Sequence, residues 1–122
     1  MNEISAAEIL YKTDANLVQA PRQAEYGIFA KITHSLSVSD KQKNVAFSDY
    51  VTALHQNRKL WSTLASDVAD AENKLPPALR AQILYLAEFT NVHTSRILNE
   101  RAAVQPLIDI NLAIMRGLKG GS

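Results

Sequence analysis

The sequence predicts an all-α protein, a single compact bundle of four to five amphipathic helices, and three observations carry that expectation. Alternating β-branched runs closed by Asn-Gly or Asp-Gly are missing, and three of the four glycines crowd the far end at Gly117, Gly120 and Gly121. Apolar residues recur instead at steps of three and four, the spacing that keeps one side of a helix facing a core. The prolines Pro21, Pro76, Pro77 and Pro106 fall where those periodic stretches begin or end.

The elements follow in order. A first helix is expected over about Ser5–Leu17, with Ala7, Leu10, Tyr11 and Val18 on one side. A second opens at Pro21, whose missing N–H is tolerated in a first turn, and turns Ile28, Phe29, Ile32 and Leu36 inward. The polar stretch Ser37–Asn44 reads as a connection, with Ser39 or Asp40 able to cap an early start to the next helix. That third helix, about Val45–Asp70, carries the clearest stripe: Phe47, Val51, Leu54, Arg58, Trp61, Ala65 and Val68. Leu75-Pro76-Pro77 ends it, because Pro77 pushes Pro76 into extended backbone and can itself begin the fourth helix. The fourth presents Leu79, Ile83, Leu86, Thr90, His93 and Ile97; the fifth, after Pro106, presents Leu107, Ile110, Asn111, Ile114 and Leu118.

At 122 residues the chain has room for one core, so residues 1–118 are expected to form one helical domain. Residues 119–122 form a tail whose Gly120-Gly121-Ser122 reads either as native or as an appended linker. With 47% hydrophobic and 20% charged residues the composition is that of a folded chain. The net charge of +1 and pI near 8.0 give a weak field, without the basic excess of a dedicated nucleic-acid binder. Cysteine is absent, which excludes disulfides and thiolate metal sites. The N-terminus lacks a basic stretch followed by an apolar run, and no stretch approaches the roughly 20 apolar residues of a membrane span. A soluble, cytoplasmic protein is the expectation.

The chemistry of an enzyme is not legible. His34, His55 and His93 each lack a second histidine or a carboxylate one helical turn away, the spacing that brings two metal ligands to one face. There is no Gly-rich phosphate loop and no Gly-x-Ser-x-Gly turn. His93 lies on an apolar stripe and is expected to be a hydrogen-bonded interior residue. Asp67, Asp70 and Glu72 read as a solvated helix end. We therefore expect no enzymatic activity, no cofactor and no metal. Arg22, Lys31, Lys41 and Lys43 form a basic patch if they share a face, but no aromatic residues interleave them for base stacking, so support for RNA binding is weak.

One segment stands out. In Asn57-Arg58-Lys59-Leu60-Trp61 an arginine falls inside the apolar stripe, one turn before the only tryptophan. Either Asn57 and Arg58 pin the register of the bundle around a packed Trp61, or Arg58 and Trp61 form a binding hot spot. Asp109 and Glu88 are candidate partners for Arg58. Asn57, Arg58, Leu60 and Trp61, then Asn73-Lys74-Leu75-Pro76 and Leu79-Arg80, then Leu107-Ile108-Asp109-Ile110-Asn111 running to Gly117-Leu118, together resemble the FlaF family of α-proteobacterial flagellar proteins. Tyr11 and Pro21-Arg22-Gln23-Ala24-Glu25 suit the same pattern, so the likeness spans nearly the whole chain.

The resemblance implies a helical protein needed for flagellin production that acts beside a second regulator, FlbT. It supplies no catalytic residues. Its motif residues Asn57, Arg58, Leu60, Trp61, Leu75, Pro76, Arg80, Ile110, Asn111, Gly117 and Leu118 become candidates for partner binding or for the fold. Two mechanisms are compatible with it: binding flagellin as a secretion chaperone, or regulating flagellin synthesis after transcription, through FlbT or on the mRNA. Flagellin termini are amphipathic, and a weakly charged helical bundle is better suited to receive an apolar helix than to hold RNA. Leu84, Phe89 and Met115, off the main stripes of the last two helices, are candidate groove walls unless they complete the core.

Overall fold

The computed structural model describes residues 19–118, which form four α-helices: α1 (Gln19–Lys41), α2 (Phe47–Ala69), α3 (Pro77–Glu100) and α4 (Gln105–Leu118). No strand occurs among the described residues. The helix expected over Ser5–Leu17 and the tail 119–122 lie outside them. Each helix packs beside its successor, and α4 returns to pack on α1. Connections as short as residues 42–46, 70–76 and 101–104 force neighbours to run antiparallel, so the four helices form an up-down-up-down ring. α2 and α4 face each other across its diagonal, with no close backbone approach.

Helix starts agree with the proline positions. Pro77 occupies the first turn of α3, and Pro76 before it is extended (φ −56°, ψ 144°), as a residue preceding proline must be. The expected connection over Ser37–Asn44 is corrected: α1 runs on to Lys41 and only residues 42–46 turn. Ser39 does not cap the next helix. Its hydroxyl donates back to the Ser35 carbonyl at 2.6 Å within the same helix, which satisfies a polar residue without ending the coil. α2 accordingly starts at Phe47, and Ala46 before it offers no side-chain cap.

The inward faces build two apolar clusters. One gathers Phe29, Trp61, Val68, Leu79, Ile83, Leu86, Ala87 and Ile110; the other gathers Leu36, Tyr50, Ala53, Leu54, Ile97, Val104, Leu107 and Ile108. Phe29 meets Trp61 edge-on, with ring centroids 5.8 Å apart, a favoured aromatic geometry. Two expected core residues are corrected. Ile28 is 48% exposed because Phe29, about 100° further round the helix, takes the position that faces the core. Phe47, expected to open the stripe of α2, is 57% exposed because it stands in the first turn, at the open end of the bundle.

Candidate functional site

Between the two apolar clusters every helix contributes a buried polar residue: Thr33 from α1, Asn57 from α2, Thr90 and Thr94 from α3, and Asn111 from α4. Asn57 and Asn111 are 0% exposed. Asn111 accepts a hydrogen bond from the Trp61 indole N–H at 3.0 Å and donates one to the Asn57 side-chain oxygen at 2.8 Å. One carboxamide thus ties α4 to two successive turns of α2 across the diagonal where no backbone approaches. Thr94 donates to the Thr90 carbonyl at 2.6 Å, while among the described residues Thr33 Oγ1, Thr90 Oγ1 and Asn57 Nδ2 have no hydrogen-bond partner. Such a layer adds little net stability and much specificity, because any shift in register strands its members.

Arg58 leaves the layer sideways. Its Nη2 donates to the Asn91 carbonyl and to Ser95 Oγ, both at 2.8 Å, joining α2 to α3. The expected carboxylate partners Asp109 and Glu88 are corrected. A helix carbonyl with a second lone pair and a hydroxyl in the adjacent turn serve a guanidinium that emerges between two packed helices.

A second constellation locks the turn between α2 and α3. Arg80 Nε donates to the Val68 carbonyl at 2.7 Å and its Nη2 to the Asp70 carbonyl at 3.0 Å, so α3 caps the end of α2. Asn73 donates to the Asp67 carbonyl and accepts from the Leu75 N–H, each at 3.0 Å. Leu75 packs against the first apolar cluster, and Pro76 redirects the chain into α3. Ile110 and Gly117 are buried on α4, which Leu118 ends. The motif residues are therefore concentrated inside the bundle and at one turn. Leu60 alone, half-buried on α2, borders a surface depression.

That depression is a groove of about 340 Å³ between the outer sides of α1 and α2, lined by Ile28, Ile32 and Leu60 with Lys31 and Lys59 at its edges and Gln56 and Thr63 on its α2 wall. The signal in the sequence was the adjacent pair Ile28-Phe29, whose side chains leave the helix about 100° apart. Of the two readings of Leu84, Phe89 and Met115, completion of the core holds for two. Phe89 and Met115 pack against the first apolar cluster, and only Leu84 is exposed. His93 is buried, stacked on Phe89 at 5.4 Å, and its Nε2 donates to the Ala103 carbonyl at 2.7 Å. Among the described residues no three His, Asp or Glu side chains gather as metal ligands, and no helix is long and apolar enough to cross a membrane.

Fold and site define an antiparallel four-helix bundle with a buried polar layer and a capped turn. The model of the family described as flagellar protein FlaF matches residues 7–118, and the chain belongs to that family. It is accordingly a flagellar protein. No curated protein and no solved structure matches the chain.

Proposed function

We propose that the protein binds flagellin in the cytoplasm as a secretion chaperone, by helix-in-groove contact and without chemistry of its own. The observation that carries this reading is the groove between α1 and α2. Ile28 and Ile32 stand one turn apart on α1, and Leu60 faces them from α2, a spacing that suits the anchors of an amphipathic helix. Lys31 and Lys59 at the edges favour a helix with acidic flanks. Because the apolar floor contributes most of the binding, affinity should outlast salt that screens charges beyond a Debye length of about 8 Å.

The test is titration of the full chain with purified flagellin, and separately with flagellin leader RNA, at low and high salt. Flagellin binding that persists at high salt, and is lost in Ile28→Asp with the melting temperature kept, supports the reading. Salt-steep binding to leader RNA with no affinity for flagellin would replace it with the regulatory reading, since each neutralised phosphate releases counterions. Binding to FlbT alone would make the protein an intermediary in that regulation.

A further inference from the structure

A separate pocket opens at the end of the bundle, where the turn between α1 and α2 meets the turn between α3 and α4. Its volume is about 410 Å³, and Phe47, Tyr50, Ile97 and Ala102 give it an apolar floor with Lys43 and Arg101 on the rim. Beside it the chain exposes large apolar surface: Val45 is 88% exposed, next to the half-open ring of Phe47. Among the described residues no acidic side chain lines the pocket.

Arg101 is the informative residue. It ends α3 in the left-handed region at φ 59°, the one positive φ among the described residues other than glycine. A Cβ is unfavourable there, and glycine is the usual occupant of a left-handed helix end. The backbone of that turn needs only a glycine. An arginine held there at a conformational cost places a cation on the rim, and backbone strain of this kind gathers at binding sites. Among the described residues no carboxylate lies within salt-bridge distance of it. Lys43, by contrast, is paired with Asp40 at 2.8 Å while its ammonium stands 5.5 Å from the Tyr50 ring.

We propose that this pocket docks a short segment of a partner protein that presents a large apolar side chain beside a carboxylate. The apolar floor takes the side chain and the Arg101 guanidinium takes the carboxylate, for which its fork of donors is matched. A single exposed ring and one unpaired cation are too few for a nucleic-acid strand, which calls for successive stacking rings along a basic track. The pocket shares no residue with the groove between α1 and α2, so either site can fail while the other stands.

The experiment is selection of a displayed library of random short peptides on the full chain. Anisotropy titration of the enriched peptide then follows with wild type, Phe47→Ser and Arg101→Gly. Arg101→Gly relieves the positive φ, so its melting temperature should hold or rise. We expect enriched sequences that place an aromatic or leucine next to Asp or Glu, and affinity about tenfold or more weaker in both variants. No enrichment, enriched peptides without a carboxylate, or equal affinity for wild type and Arg101→Gly overturns the proposal. So does binding of random-sequence RNA that is lost in Arg101→Gly while no peptide binds.

Discussion

The Trp61 indole donates to the Asn111 carboxamide oxygen across 3.0 Å at the centre of the bundle, joining the two helices that lie diagonally opposite. Trp61 is both the largest fully buried side chain and half of a buried hydrogen bond. Removal should act in two parts. Trp61→Ala should destabilise by about 3–5 kcal/mol, the range for emptying a large aromatic site, and unfold much of the protein. Trp61→Phe should keep most of the packing and lose mainly the hydrogen bond, about 1–3 kcal/mol with Asn111 left short of a partner. Denaturant unfolding followed by circular dichroism separates the two.

The Asn57–Asn111 bond should behave non-additively. Replacing Asn111 by leucine alone strands the Trp61 N–H and the Asn57 oxygen in the interior, each at about 1–3 kcal/mol. Replacing Asn57 as well removes one of those stranded groups, so the double variant should lose less than the two single losses combined. A double-mutant cycle reads the coupling directly. Equal and additive losses would show that the two carboxamides act independently.

Arg80 caps the end of α2 from the first turn of α3. Arg80→Met keeps the aliphatic stem but frees the Val68 and Asp70 carbonyls, at about 1.5–3 kcal/mol for hydrogen bonds to a charged donor. Hydrogen exchange should quicken first around residues 66–76, before the centre of the helices loosens.

Tyr50 supplies an alkaline signature. Burial, and after it the charge of the Asp40 carboxylate and a hydrogen bond to it, push the phenol up from 10.0 to about 12. The folded protein then keeps a proton that the unfolded chain releases, so stability falls as pH rises between those values. Tyr50→Phe cannot titrate, and its unfolding free energy should lack that falling limb. Ultraviolet titration of tyrosinate should show one fewer late-ionising group in the variant.

Glu25 works at the acid end in the same sense. Burial first, and the Asp67 carboxylate second, raise its pKa above the ordinary carboxylate value. The folded state holds this proton more tightly, so the favourable contribution exists at low pH and is lost as pH rises through the folded value. At neutral pH the ionised side chain is a burden. Glu25→Gln should therefore stabilise the protein at pH 7 and flatten the decline above the carboxylate range, measured as melting temperature against pH.

The inward stripe of α3 was fully legible, since Leu79, Ile83, Leu86, Thr90, His93 and Ile97 are all buried. Periodicity suffices there because steps of three and four place all six residues on one side of the helix. It fails where two apolar residues are adjacent, as at Ile28-Phe29, because period alone does not say which one the bundle claims. It fails also at Ser37–Asp40, where polarity suggests a loop but serines that bond back to their own helix allow the coil to continue. The motif at 57–61 pointed to Asn57 and Trp61, yet their shared partner Asn111 stands 54 and 50 residues away, beyond any local pattern. Arg58 was hidden for another reason. Its main partner is a backbone carbonyl, which every residue possesses and no sequence marks.

Because α4 closes the ring against α1 and supplies Asn111, the bundle cannot be completed until α4 has left the ribosome. Throughout translation the indole of Trp61 and the carboxamide of Asn57 wait without their acceptor and donor. The inward faces of α1 and α2, Phe29 and Leu36 among them, stay uncovered on one flank during the same interval. A stop codon or a cleavage that removes α4 would not yield a smaller working bundle. It would leave α1, α2 and α3 with an open seam, the form in which a newly made chain is most exposed to aggregation and proteolysis.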